Sequence, residues 1–225
     1  MEGKVRNSLP APKRVGRPRR GTESARTDAL FAAATHVFLR DGYGAASIDK
    51  VAHEAGVSTR TIYERFKNKA DLLGAVISRL IERDMAQAFA TDDLERLDPR
   101  DALMAIGRVL TGRARDFDAM ALFRIVVTES QRFPALATLM RTGIQNQIES
   151  PIAEYFRGQA ARGVLVIGDV ERAAPLFVQM VYARVHECIL FGSTEETVNL
   201  DCDSHLRLVI DIFLRGTLPR GEPTP

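Results

Sequence analysis

The side chains with the most chemistry to offer stand close together between Ser47 and Lys69. If the short stretch after Ser58 is helical, its outer face carries Thr59, Arg60, Tyr63 and Glu64, with Thr61 at the edge and Ile62 and Phe66 turned inward. Arginine can donate two hydrogen bonds to O6 and N7 of guanine. Threonine offers a hydroxyl and a methyl that suits thymine, and tyrosine reaches a phosphate or a base methyl. Lys67 and Lys69 open the following helix, where positive charge and free backbone N–H groups suit a phosphate. The chemistry that fits this set is recognition of double-stranded DNA. By pattern alone, a helical hairpin with a solvated basic face would look similar.

Other chemistries find less support. None of His36, His53, His186 and His205 stands in H-x-x-x-H spacing, and Cys188 and Cys202 form no C-x-x-C pair, so no metal site is expected and the thiols read as buried and free. His186, Glu187 and Cys188 are adjacent, and neighbours on a helix point about 100° apart, so they do not converge on an ion. An all-helical enzyme using these residues is a remote alternative that leaves the charge distribution unexplained. No catalytic residue and no cofactor is expected.

That distribution is uneven. Residues 1–70 hold 14 Lys+Arg against 7 Asp+Glu, a balance of +7, whereas residues 71–225 hold 17 against 22, a balance of −5. A basic front on a mildly acidic body is the footprint of a nucleic-acid contact at one end. Residues 1–21 read as a flexible basic arm, with Pro10, Pro12 and Pro18 and basic residues crowded between Lys13 and Arg20. Within it Gly16-Arg17-Pro18-Arg19 resembles an AT-hook core, in which Arg17 and Arg19 would enter a narrow minor groove. No apolar run approaches the roughly 20 residues of a membrane span, and the basic amino terminus lacks the apolar stretch of a secretory signal. A cytoplasmic protein with no membrane partner is expected.

The elements that must position these residues are helices. Leu30, Phe31, Ala34, Val37 and Phe38 recur with helical spacing up to Gly42. Ile48, Val51, Ala52 and Ala55 repeat the pattern behind a Ser47 cap, Gly56 ends it, and Ser58 caps the next short helix. Ala52 is small where two helices cross, and Val57 and Ile62 fill the wedge between them, as a helix-turn-helix requires. Asn68 opens a fourth helix carrying Leu72, Leu73, Val76, Ile77, Leu80 and Ile81. Residues 91–98 read as a connection. Further helices are predicted at about 100–116, 119–130, 134–160, 170–191 and 204–217, with Pro151 kinking or splitting the long one. Val164-Leu165-Val166-Ile167 has no second strand to pair with and is expected as an extended connection whose valines pack on the core.

The fold class is therefore all-α: a basic arm (1–21), a helix-turn-helix DNA-binding domain (22–68), a helical body (69–217) and a frayed tail (218–225). In 204–217 the stripe of Leu206, Val209, Ile210, Phe213 and Leu214 is widened by Leu208 and Ile212, an arc that must bury on two sides. One side suits the protein's own core and the other a second subunit, with Tyr182, Ile189, Leu206, Val209 and Phe213 as the expected homodimer contacts. Gln179, Arg184, His186 and Glu187 interrupt the apolar helix 170–191. They either satisfy one another or orient a small apolar or amphipathic effector in a pocket with Phe117, Met120, Phe123, Tyr155 and Phe177.

A family resemblance rests on residues already quoted. Asp41-Gly42-Tyr43, Ser47-Ile48-Asp49-Lys50-Val51-Ala52, Ala55-Gly56-Val57-Ser58, Thr61-Ile62-Tyr63, Phe66, Lys69 and Leu72-Leu73 resemble the amino-terminal domain of TetR-family regulators over about residues 26–77. Glu129-Ser130-Gln131-Arg132-Phe133-Pro134 is similar to a stretch found in a subset of that family. The resemblance implies a dimeric, ligand-responsive repressor of operator DNA, with Ser47, Thr61 and Tyr63 at DNA-contacting positions and Lys69 at a phosphate contact. Arg60 stands where many members carry glycine and Glu64 where many carry histidine or tyrosine, so the operator does not carry over. Glu64 is expected either to accept from a cytosine amine or to pair with Arg60 or Arg65. A ligand-independent architectural or partner-regulated DNA-binding protein is the alternative.

Overall fold

The computed structural model describes residues 20–89, 94–112, 116–191 and 202–219; Arg17, Arg19 and the side chains of Arg184 and Ile189 lie outside the described residues. Every regular element described is helical. The α-helices are α1 (Arg20–Ala45), α2 (Ile48–Ala55), α3 (Thr59–Tyr63), α4 (Lys69–Phe89), α5 (Pro99–Gly112), α6 (Phe117–Glu129), α7 (Pro134–Ile144), α8 (Ser150–Ala161), α9 (Val170–Phe191) and α10 (Cys202–Thr217). None of the described helices is long and apolar enough to cross a membrane.

Two cores organise them. The first joins Leu30, Val37 and Phe38 of α1, Val51 of α2, Ile62 of α3 and Leu72 and Leu73 of α4, and it continues into Leu122 of α6 and Leu136 of α7. The second joins Leu103 and Ile106 of α5, Phe156 of α8, Phe177 and Val181 of α9 and Leu206 and Ile210 of α10, with Ile81 of α4. Ile77 of α4 packs against both. Each such side chain removed from water contributes about 1.5–3 kcal/mol. α4 is therefore the element held in common, its first turns in one core and its middle in the other.

The helix predicted over 134–160 is divided just ahead of Pro151, as expected, and two other sequence expectations change. Gln145–Glu149 form one π-turn in which the Ser150 N–H donates to the Gln145 carbonyl, and Pro151, which has no N–H to give, follows it at the start of α8. In the 164–167 connection Leu165 is buried while Val166 is exposed, so the leucine and not the second valine packs inward; the Val166 N–H donates to the Thr217 carbonyl at 2.6 Å. Finally, Leu206 and Val209, expected at a subunit interface, are buried in the protein's own core. Phe213 also turns inward, 5.1 Å from the ring of Phe156 and 5.2 Å from that of Phe177. The face of α10 left to solvent carries Leu208 and Ile212, 59% and 54% exposed. The two-sided arc is real, and its sides are exchanged relative to expectation.

Candidate nucleic-acid interface

The turn between α2 and α3 follows from its residues. Ser47 has an extended backbone and its Oγ accepts from the Lys50 N–H at 3.3 Å, which satisfies one orphan donor of α2. Gly56 takes the left-handed conformation, φ 65° and ψ 31°, that ends α2 without the penalty a Cβ would bring. The Val57 N–H then returns to the Ala52 carbonyl at 3.0 Å. Ser58 caps α3, accepting from the Thr61 N–H at 3.1 Å, and its hydroxyl lies 2.8 Å from that of Thr61. Ile62 is fully buried and anchors α3 to the first core.

Anchored there, α3 presents Arg60, Thr61, Tyr63 and Glu64 to solvent, with Thr59 half-buried at its start. Tyr63 is 57% exposed, which leaves its ring and hydroxyl open to a partner on this face. Arg60 Nε donates to Glu64 Oε1 at 3.0 Å, so Glu64 pairs within the recognition face itself. Arg65 instead reaches α1, donating to Thr27 Oγ1 at 2.9 Å and lying 3.6 Å from Glu23. Lys67 is exposed, while its backbone N–H donates to Asp71 Oδ2 and the Asp71 N–H donates to Asn68 Oδ1, closing the start of α4.

Lys69 does something other than expected. Its ammonium donates to the carbonyls of Tyr43 (2.5 Å), Gly44 (3.1 Å) and Ala46 (2.8 Å). Three protons meet three acceptors, which leaves none for a phosphate. The phosphate contact is corrected to a structural one: Lys69 satisfies carbonyls left open where Gly42, at φ 71°, breaks α1 ahead of α2. Burial pulls its pKa below the ordinary lysine value, and Glu129 opposes that shift. Lys50 assists from the other side, donating to Asp41 at 2.7 Å and to the Ala45 carbonyl at 3.0 Å. Arg40 and then Lys50 hold the Asp41 carboxyl far below the usual carboxylate range. Glu54 is held down by His36 and Arg40 in the same clamp between α1 and α2.

The body contains a cavity of about 90 Å3 walled by α4, α6, α7, the π-turn and α9. Met120, Phe123, Gln179 and His186 line it. Burial lowers the pKa of His186. Its ring stacks against Tyr182 (centroids 5.7 Å apart, planes 13°) and Phe123 (6.4 Å, 16°). Three residues expected here lie elsewhere. Phe117 is 71% exposed, at the first position of α6 after the Asp116 cap. Tyr155 and Phe177 are buried in the second core, where burial pushes the Tyr155 phenol up to about 12. Conversely Tyr182, expected between subunits, is a cavity wall.

Comparison with known proteins decides what this arrangement is. Residues 30–76 match the bacterial regulatory proteins of the tetR family, and residues 101–216 match the carboxy-terminal domain described as AefR-like transcriptional repressor. The chain belongs to the TetR family. It is accordingly a DNA-binding transcriptional regulator. Over 200 residues it is 22% identical to an uncharacterised HTH-type transcriptional regulator, YvkB, of Bacillus subtilis, covering 83% of this chain and 94% of that one. A TetR-family regulator of Mesorhizobium loti has the same fold, with a TM-score of 0.74 and 22% identity over 90% of this chain and all of the other. The flavonoid-responsive regulator FrrA is 27% identical with a TM-score of 0.68, over 88% of this chain and all of its own.

Within this TetR-family chain, sequence reasoning missed the contribution of α4 to the cavity: Ile77, Leu80 and Ile81 line it from the helix that begins at Lys69. The signal existed, because the apolar stripe of α4 runs on past Val76 through Ile77, Leu80 and Ile81, about two and a half turns from Leu72, further than the amino-terminal core covers. It also missed Phe133, whose ring meets Tyr43 edge-on at 4.8 Å and ties the α6–α7 corner to the amino-terminal domain.

Proposed function

We propose that the protein is a homodimeric, cytoplasmic repressor whose grip on operator DNA is set by a small apolar or amphipathic effector held in the α4–α6–α9 cavity. The observation that carries this reading is that one helix serves both sites. α4 supplies Ile77, Leu80 and Ile81 to the cavity, and its first turn holds the turn ahead of α2 through Lys69. An effector that binds one setting of α4 better than another shifts the population of amino-terminal domains able to meet DNA. The division near residue 68 then separates a reading head from a sensing body, with α4 as the joint.

In this reading α3 lies in the major groove. Thr59, Arg60, Thr61 and Tyr63 read bases or place the backbone, Ser47 meets a phosphate at the start of α2, and Lys67 with Arg17 and Arg19 of the arm supplies salt-sensitive affinity. The exposed Leu208 and Ile212 of α10 and the exposed Leu176 of α9 support a two-fold dimer through these helices. Such a dimer presents two α3 helices to half-sites about one DNA turn apart, roughly 34–36 Å, or somewhat more. FrrA, which responds to flavonoids, lends support to an effector-responsive body.

The test is a gel shift with the DNA upstream of the protein's own gene over a range of salt, repeated for Arg60→Ala, Tyr63→Phe and a deletion of residues 1–19. Binding that weakens with salt and is impaired by the α3 substitutions is expected. If both α3 variants bind like the parent while the arm deletion abolishes binding, the recognition surface has been misassigned.

A further inference from the structure

We propose that the cavity is built for an uncharged aromatic molecule bearing a hydroxyl or carbonyl on one edge, its ring laid beside the Tyr182–His186–Phe123 stack and its polar edge bonded to His186 and Gln179. The inference rests on the reading of this cavity as the effector site and adds the class of effector.

Three features of the wall point this way. First, among the described residues none that lines the cavity carries a formal charge at neutral pH; the polar groups are Gln179, Tyr182 and His186. Against the described wall a carboxylate or ammonium gives up its hydration and meets no counter-charge, which favours an uncharged effector. Secondly, the polar side chains can both give and take hydrogen bonds. Burial keeps His186 in its neutral form, with one N–H donor and one bare nitrogen acceptor, and the Gln179 amide likewise has both. The two residues are seven apart on α9, so they share a face, and both line the cavity. That pattern complements a phenol or an aryl ketone.

Thirdly, the aromatic rings that line the cavity are aligned. The rings of Tyr182, His186 and Phe123 lie within 16° of parallel across each stacked pair. A planar π system extends such a stack, whereas a flexible alkyl chain must lose rotamer freedom to lie against it. Met120 and Met140 add thioethers, which pack favourably against aromatic edges. The volume, about 90 Å3, is smaller than the roughly 150 Å3 of a cavity that takes up one benzene ring, so an aromatic effector enters only as the flexible Met120 and Met140 side chains move aside.

The experiment is calorimetric titration of the full-length protein at pH 7.5 with three probes: 2-naphthol, 2-naphthoate and 1-octanol. The expected result is that 2-naphthol binds at least tenfold tighter than either of the others. His186→Leu should then weaken 2-naphthol about tenfold, which corresponds to about 1.4 kcal/mol. Ala119→Phe, which places a ring in the cavity from its rim, should abolish binding; Val178→Phe does the same from α9, and circular dichroism checks that each variant is folded. Equal or tighter binding of 2-naphthoate or 1-octanol overturns the proposed class, and so does binding of none of the three, or 2-naphthol affinity indifferent to His186→Leu. If 2-naphthoate wins and Ala119→Phe still blocks it, the cavity remains the effector site and only the class is wrong; loss of that binding in Arg184→Gln would identify the missing cation. If 2-naphthol binds undiminished to the filled variants, the cavity is not the site and the effector reading fails with it.

Discussion

The Lys69 ammonium lies 4.5 Å from the centre of the Tyr43 ring and also takes the Tyr43 carbonyl at 2.5 Å. The same ring stacks on Phe38 (6.2 Å, planes 16°) and meets Phe133 edge-on (4.8 Å, 70°). A residue at the end of α1 is thus gripped by the first turn of α4 and by the α6–α7 corner together. The turn that feeds α2 is held by the body, and the position of the recognition helix depends on both contacts.

Replacing Lys69 by methionine keeps most of its stem and removes three charge-assisted donors. Carbonyls left unpaired and partly buried cost about 1–3 kcal/mol, so the urea midpoint should fall by the equivalent of about 2 kcal/mol. The salt dependence of DNA binding distinguishes this role from a phosphate contact. A lysine that neutralises a phosphate contributes about 0.9 to the slope of log affinity against log salt. Lys67→Gln should lower the slope by about that amount and Lys69→Met should leave it unchanged. The opposite pattern, with normal stability for the Lys69 variant, would return Lys69 to the DNA.

Arg60 and Glu64 form an exposed pair one helical turn apart, of a kind that contributes about 0.3–0.5 kcal/mol to a helix. Glu64 also brings a negative charge to the surface that meets DNA. Glu64→Gln frees Arg60 and removes that repulsion, so non-specific affinity should rise at fixed salt. Arg60→Ala should cost about 1–3 kcal/mol on the preferred site and relax the preference at one base pair. Binding-site selection with both variants checks this. An equal loss on every sequence in the Arg60 variant would make Arg60 a backbone contact.

The clamp of Arg40, Asp41, Lys50, His36 and Glu54 should show in acid. Asp41 and Glu54 have folded pKa values below their unfolded ones, so their contribution is present above the ordinary carboxylate range and is lost as pH falls through it. Stability measured by urea at pH 7, 5, 4 and 3 should therefore decline most steeply at the acid end. Asp41→Asn should be less stable than the parent at pH 7 and lose less between about pH 5 and 3. A parallel decline in both proteins would show that the clamp adds nothing.

Much of this was legible from spacing. The caps Ser47 and Ser58, the αL Gly56 and the inward Ile62 are local features, set by residues within one turn, and the structure has them where the pattern puts them. The Arg60–Glu64 pair is local as well. What failed depended on distant partners. Met120 and Phe123 face the cavity while Phe117 on the same helix does not, because α6 turns its first residue away from α9. Tyr155 and Phe177 are as apolar as any cavity wall, and only the packing of α8 on α9 puts them in the core. Lys69 could not be placed because its acceptors are carbonyls more than twenty residues earlier, and carbonyls leave no mark on composition.

The exchange of faces on α10 yields the last prediction. A helix apolar nearly all round must bury twice, but periodicity does not say which stripe meets its own chain. Leu206 lies against Gly107 of α5, so tightly that a Cβ on that glycine would stand 2.7 Å from Leu206 Cδ2. Leu206→Ala should therefore open a cavity inside the subunit and cost about 2–5 kcal/mol of folding free energy. Ile212→Glu changes only the outer stripe: a charge placed where a second copy must be desolvated should shift the protein from dimer to monomer in sedimentation at micromolar concentration, with the helical circular dichroism signal retained. Weaker DNA binding follows, because the two α3 helices no longer arrive together. If Ile212→Glu still sediments as a dimer, the subunits meet through a different face, and the exposed stripe of α10 must be covered in some other way.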